Sequence, residues 1–312
     1  MPISRYPAFR LVGTVTNKTP TILSVHAHPD DESSKGAPTI ARYRTLQARC
    51  VLVTATGGEE GDILNPKMDR PEIRANLAEI RNAELEEATK IIGYDEVIKL
   101  GYRDSGMPGT EANERLDAFY NIPIDVSTDR LVEIFREQQP HVVITYPEDQ
   151  SGYPHPDHLR VHDISLKAFD LAGNSNYKPE LGEPFQPLKL YYSLWTKAKI
   201  LAIVERFESL GLESPFPRDR LDRQGQDDLV TTQIDVADFL EIQRRALLAH
   251  RTQIDPNSPF WFGLPTQEQA KAYSTEDYHL ARSTVEVVSI SNGEIETDLF
   301  EGTGLSLAQR FK

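Results

Sequence analysis

The sequence predicts an α/β fold, a Rossmann-like three-layer sandwich with a mostly parallel sheet and long loops around its active site. Three observations predict it. Five short β-rich apolar runs recur along the chain, and helical patterns separate most of them. Alternation of that kind gives a parallel sheet covered by helices on both faces. No linker, repeat or low-complexity segment divides the 312 residues, whose 39% apolar content suffices for one large core.

In chain order, residues 1–20 (MPISRYPAFRLVGTVTNKTP) form an N-terminal extension with no continuous apolar stretch. A single domain is expected over 21–312, with a C-terminal elaboration from about residue 185. TILSVHA (21–27) is the first strand and runs into HAHPDDE; VLVTAT (51–56) is the second and runs into GGEEG. PEIRANLAEIRNAELEEATKII follows as one helix, and steps of about 100° per residue put Ile73, Leu77, Ile80, Ala88, Ile91 and Ile92 in one apolar sector, into which Arg81 and Glu84 also fall. VIKLGY (97–102), HVVITY (141–146) and LKLYYSLW (188–195) complete the strands. A helix beginning near Asp235 leads to AHRTQ, with His250 on its core face beside Phe239, Ile242 and Ala246. The polar, Pro/Gly-bearing stretches at 105–124, 173–187 and 211–229 are long loops, expected near the site.

Composition excludes several functions. A net charge of −14 without a dense Lys/Arg cluster argues against a nucleic-acid partner. No run approaches the ~18 apolar residues that a membrane span needs, so no membrane partner is expected. Cys50 is the only cysteine, which forbids an intrachain disulfide and predicts a cytoplasmic protein. Oligomeric state leaves no trace in the sequence.

The chemistry is concentrated at two points. Ligands of such a sheet bind beyond the carboxyl ends of the strands, where strand order reverses between the first and fourth. HAHPDDE follows the first strand, and HVVITY leads into PEDQSGYPHPDHLRVHD, so segments more than a hundred residues apart converge on one crevice. Of eight histidines, His28, His155, His158 and His162 cluster here with several carboxylates, while His26 lies within its strand as a structural residue. Two imidazoles and one carboxylate, with one position open, make a catalytic zinc site. His28 and Asp31 fold back across the Pro29 turn onto one ion, and His158 and His162 stand four apart on a helix. A metal-free polar cleft is the alternative.

HPDD after the first strand together with HPDH after the fourth resembles the signature of the LmbE/PIG-L zinc deacetylase superfamily. ESSKGA (32–37), TGGEEGDILNP (56–66), SGYPHPDH (151–158) and AHRTQIDP (249–256) are similar to the branch of it that cleaves mycothiol S-conjugates. The resemblance implies one zinc ion per chain, with ferrous iron as the alternative, held by His28, Asp31 and His158. It implies Asp30 as general base and a protonated His155 as oxyanion stabiliser, with the Asp157 carboxylate orienting that imidazole; helix capping is the other reading of Asp157. Tyr153 donates to the carbonyl or forms an aromatic lid. Lys35, Glu59, Arg81, Asp104 and Gln253 are implied as substrate contacts, Arg81 being oriented by Glu84. A buried Arg81–Glu84 pair, a turn aspartate at 104 and an exposed lysine at 35 are the structural alternatives.

The implied substrate is a small-molecule thiol-sugar conjugate, cleaved at its glucosamine–cysteine amide to a mercapturic acid and glucosaminyl-inositol. Deacetylation of N-acetylglucosaminyl-inositol, or action on a mycothiol adduct in antibiotic biosynthesis, is the alternative. A facial-triad iron oxygenase is disfavoured because those ligands sit on an antiparallel jelly roll. A dinucleotide-binding protein is disfavoured because the first turn lacks G-x-G-x-x-G and its carboxylates repel a pyrophosphate.

Overall fold

Val, Leu and Ile crowd the first two apolar runs, and in the computed structural model, which describes residues 19–149, 153–216 and 225–308, these runs are the buried centre of the sheet. β1 (Thr21–His26) is buried at every residue and β2 (Arg49–Thr56) at all but its first, as parallel strands covered on both faces must be. β3 (Glu96–Tyr102), β4 (Val142–Thr145) and β5 (Lys189–Leu194) extend the sheet in parallel around them. Most of the N-terminal extension, Ser151 and Gly152 of the second motif, and 217–224 of the third long loop lie outside the described residues.

Two further strands were not predicted. β6 (Thr232–Asp235) and β7 (Thr275–Ser283) complete the order β3-β2-β1-β4-β5-β7-β6, with β7 antiparallel to both its neighbours. β7 reads TEDYHLARS, without an apolar run, because its inward carboxylates are bonded rather than excluded. Glu276 accepts from the backbone N–H groups of Gly36 and Thr39 and from Thr39 Oγ1, satisfying the start of the helix Ala37–Thr45; Asp277 accepts from Thr196 Oγ1 at 2.7 Å.

One face of the sheet packs on the helices Ala37–Thr45, Leu77–Ile92 and Leu240–Ala249 through Ile40, Tyr43, Ala88, Ile92 and Ala246. The other packs on Ile124–Gln138 and Pro156–Ala172 through Leu131, Phe135, Val161 and Ile164. The single helix expected over 71–92 is broken at Ala75 and Asn76 into Pro71–Arg74 and Leu77–Ile92, and Ile73 is half-buried. The helix expected from Asp235 starts later, since Asp235 ends β6 and a 3-10 turn, Ala237–Phe239, precedes Leu240.

The C-terminal elaboration is fastened by a buried ion pair. Lys189 Nζ donates to Glu296 and to the carbonyls of Leu299 and Glu301, while Tyr191 and Thr232 hydroxyls donate to the same carboxylate. Lys189→Met leaves that carboxylate buried without its cation and is expected to destabilise the protein by about 3–5 kcal/mol. The shift of the urea midpoint measures this, and adding Glu296→Gln should recover part of the loss.

Candidate metal centre

The first turn is built by its own backbone. After His28 the chain doubles back, with Asp31 N–H donating to His28 O (3.3 Å) and His28 N–H donating to Asp31 Oδ2 (3.0 Å). Asp31 thereby stands over His28 at the start of a short helix, Asp31–Ser34. From the other side, the helix Pro156–Ala172 brings His158 Nε2 to 3.3 Å from both Asp31 Oδ2 and His28 Nδ1. His28, Asp31 and His158 each offer a donor atom within 4.8 Å of the other two, and all three residues are buried. Two imidazoles and one carboxylate at that spacing fit a divalent ion such as zinc.

His162, four residues beyond His158, turns away and meets the Tyr146 carbonyl at 2.9 Å through Nδ1. His26 is buried in β1 against the Tyr146 hydroxyl at 3.0 Å. Tyr146 itself was not foreseen. Its hydroxyl donates to Asp31 Oδ2 at 2.7 Å and accepts from Ala27 N–H, while its ring stacks on His158 with centroids 4.6 Å apart.

His28 presents two faces. Nδ1 faces Asp31 and His158; Nε2 lies 3.3 Å from Asp157 Oδ2 and 3.7 Å from Asp104 Oδ1. A ligand histidine commonly anchors its second nitrogen on a carboxylate in this way. Burial disfavours a charge on His28, but Asp104, Asp157 and Asp31 outweigh it and hold its pKa well above the ordinary imidazole value. His28, Asp104, His155 and Asp157 form a second compact donor set sharing His28 with the first.

The Asp157 carboxylate therefore serves His28, and not His155 as expected. It also accepts from Ser105 N–H (3.0 Å) and from the Ser105 hydroxyl. Only the Asp157 backbone N–H reaches His155, whose Nδ1 accepts it at 3.2 Å and so caps the helix. Burial, and then the charge on His28, lower the His155 pKa to about 4. In this arrangement the ring is neutral near pH 7, where a protonated one was expected. Ser105 is an ordinary loop serine with nothing in sequence to single it out.

Asp30 stands beside the cluster with its side chain 27% exposed to the cleft. Its backbone is in the left-handed half of conformational space, at φ 126°, where an L-residue is strained. Glu32 holds it there: Oε2 accepts from Asp30 N–H at 2.9 Å, and Oε1 is gripped by His250 Nε2 at 2.6 Å. His250 is buried as expected, yet it acts on this loop. Burial raises the Asp30 pKa, Arg81 opposes that, and the neighbouring Asp31 adds to it.

Arg81 donates to Asp30 Oδ2 (3.0 Å) and to the carbonyls of Pro29 and Gly58, both at 2.5 Å. Gly58 is required here, since a Cβ would lie 2.3 Å from the guanidinium carbon and the backbone has φ +68°. The expected Arg81–Glu84 partnership is corrected: Glu84 accepts from Thr252 N–H and Oγ1 and so braces the turn that carries Gln253.

The remaining expected contacts divide. Asp104, Lys35, Gln253 and Tyr153 line the same cleft of about 450 Å³ as His28, Asp30 and His158. Asp104 accepts from Gly106 and Glu60 N–H groups; burial would raise its pKa, but His28 holds it well below the carboxylate range. Lys35 Nζ lies 2.6 Å from Asp31 Oδ1. Tyr153, 55% exposed, sits at the mouth with its ring edge-on to His158. Glu59 faces an adjoining cavity, and its Oε1 accepts from Asp104 N–H at 3.1 Å.

Comparison with known proteins extends the geometry. Residues 23–169 match the family profile described as PIG-L: GlcNAc-PI de-N-acetylase. The chain is 40% identical over 291 residues to the mycothiol S-conjugate amidase of Streptomyces coelicolor, covering 90% of this chain and 96% of that one. It is 38% identical over 306 residues to the 1D-myo-inositol 2-acetamido-2-deoxy-alpha-D-glucopyranoside deacetylase of Streptomyces scabiei, covering 93% and 92%. Among solved structures, N,N'-diacetylchitobiose deacetylase from Pyrococcus horikoshii shares the fold, with a TM-score of 0.58, 18% identity and 86% of each chain covered. Among the described residues, no helix is long and apolar enough to cross a membrane.

Proposed function

The chain belongs to the PIG-L, or LmbE, family, and from that premise we propose that it hydrolyses the amide between glucosamine and the S-conjugated, N-acetylated cysteine of mycothiol conjugates. The products are a mercapturic acid and glucosaminyl-inositol. At the coarser level it is a hydrolase of amide bonds, a deacetylase or amidase. The observation that carries the reaction type is Asp30, a half-open carboxylate fixed by Arg81 beside the triad of His28, Asp31 and His158.

In this reading His28, Asp31 and His158 hold zinc, with ferrous iron as the alternative. The ion supplies Lewis acidity, polarising the carbonyl and lowering the pKa of water. Asp30 takes the proton from the attacking water and later delivers it to the departing amine. Its raised pKa suits both halves of that task. Asp157 and Ser105 fix the ring of His28. His155 and Tyr153 stand over the same cleft and receive the developing oxyanion, His155 through the nitrogen not used in capping. Asp104, Gln253 and Lys35 contact the substrate, and Glu59 positions Asp104. The setting is cytoplasmic and the partner is this small molecule.

Deacetylation of N-acetylglucosaminyl-inositol is the second reading, supported by the relative in Streptomyces scabiei. Lys35 favours the amidase, because an ammonium in the cleft wall can meet polar atoms of a cysteinyl arm that the acetyl substrate lacks. The test is one ratio, kcat/KM for a mycothiol S-conjugate over that for N-acetylglucosaminyl-inositol, measured on the metal-loaded protein. A ratio well above one is expected. A ratio well below one makes the chain a deacetylase, and no amine release from either substrate removes both readings.

A further inference from the structure

The cleft adjoins a further cavity on each of two flanks. On one flank it shares Glu60 with an open cavity of about 710 Å³ lined by Glu59, Arg74, Asn82 and Arg103. On the other, Ser34, Leu247 and Trp261 form its wall and also line a narrower cavity behind. That second cavity sets an aromatic cluster beside the polar side chains of Lys199, Gln243 and Arg244. Trp195 stacks on Phe260 with centroids 5.9 Å apart, Phe260 meets Trp261 edge-on at 4.7 Å, and Trp261 meets Trp195 edge-on at 6.3 Å. The rings rest on a buried base of Ile203, Val204, Phe207 and Leu264.

We propose that the wall made by Trp261 and Leu247 is a subsite for an aromatic substituent on the substrate's sulfur. The proposal rests on the amidase reading and adds the class of conjugate. A scissile amide has an amine side and an acyl side. Here the amine side is a polyol, which needs the donors and carboxylates of the Glu60 flank. The acyl side carries the thioether, and beside Ser34 the second flank offers it the ring of Trp261 and the side chain of Leu247.

An aromatic substituent fits better than a short alkyl one for a geometric reason. Rings attract one another in edge-on or offset arrangements at centroid separations of about 4.5–7 Å. Trp195, Phe260 and Trp261 already lie at such spacings, so Trp261 is held rigid and presents its remaining surface to the cleft. A benzyl group can extend that array and lay one face against the wall; a methyl group touches little of it. On apolar burial plus the ring–ring term, the preference is about tenfold or more.

The experiment uses the full chain in two arms. The sequence contains two tryptophans, both in this cluster, so intrinsic fluorescence reports on its occupancy without any metal. S-benzyl-N-acetylcysteine is expected to change the emission saturably, and S-methyl-N-acetylcysteine to change it far less at equal concentration. No saturable change with the benzyl compound, or an equal change with the methyl one, overturns the subsite. In the second arm, the kcat/KM ratio for S-benzyl over S-methyl mycothiol is expected to be about ten or more and to fall toward one in Trp261→Ala through KM, while Trp261→Phe keeps most of it. A ratio that Trp261→Ala leaves unchanged also overturns it. If both conjugates are cleaved with a ratio near one, the subsite fails and the amidase reading stands. If neither is cleaved while benzyl binding persists, the amidase reading fails and the aromatic site stands.

Discussion

Asp30→Asn is expected to lower kcat for the preferred amide by about 10² to 10⁴, the usual contribution of a positioned base, while the metal content per chain stays at the wild-type level. The two readouts separate because Asp30 lies beside the donor triad without belonging to it. Arg81 Nη2 bonds one carboxylate oxygen, leaving the other free to face the cleft. An asparagine oxygen can keep the Arg81 bond, so the local fold is preserved and only the ability to take a proton is lost. Steady-state kinetics with metal analysis on the same preparation check this. An unchanged kcat would remove Asp30 from the role of base.

His158→Ala is expected to fail earlier, at metal retention. It removes one of three donors and leaves His28 and Asp31 with no third partner in that set. Wild-type protein in the presence of the ion at about 100 times its Kd should gain about 2.7 kcal/mol of stability by mass action, and the variant should gain almost none. Metal analysis after desalting, with thermal melts in chelator and in added ion, measures both. If His158→Ala keeps one ion per chain, the ion belongs instead to the second donor set, His28, Asp104, His155 and Asp157.

The central strands and the meeting of HPDD with HPDH were legible because both rest on strong local signals. Fully buried parallel strands are written as unbroken apolar runs, and the carboxyl ends of β1 and β4 are adjacent once the order 3-2-1-4 is assumed. β6 and β7 were illegible for the converse reason. β7 is polar in sequence because its carboxylates satisfy helix amides and a threonine hydroxyl, partners fixed only by the tertiary fold. Helical periodicity correctly placed Arg81 and Glu84 on an inner face, but periodicity names a face and not a partner. Arg81 serves the Asp30 loop and Glu84 serves Thr252, 168 residues away. Similarly, the resemblance implied that Asp157 orients His155, a partnership that the helix turn directs to His28. Ser105 carried no signal at all. Tyr146 carried a weak one, a hydroxyl-bearing ring at the carboxyl end of a central strand.

The backbone of Asp30 has a wider consequence. A residue at φ 126° does not rest there by its own preference; the carboxylate of Glu32, itself clamped by a histidine 218 positions further along, keeps it in place. Grafting HAHPDDE onto the end of a foreign strand would thus transplant every side chain of the motif and none of the restraint that aims them. Reactivity at this centre is a property inherited from the whole tertiary scaffold, and a heptapeptide borrowed from it would be an alphabet without grammar.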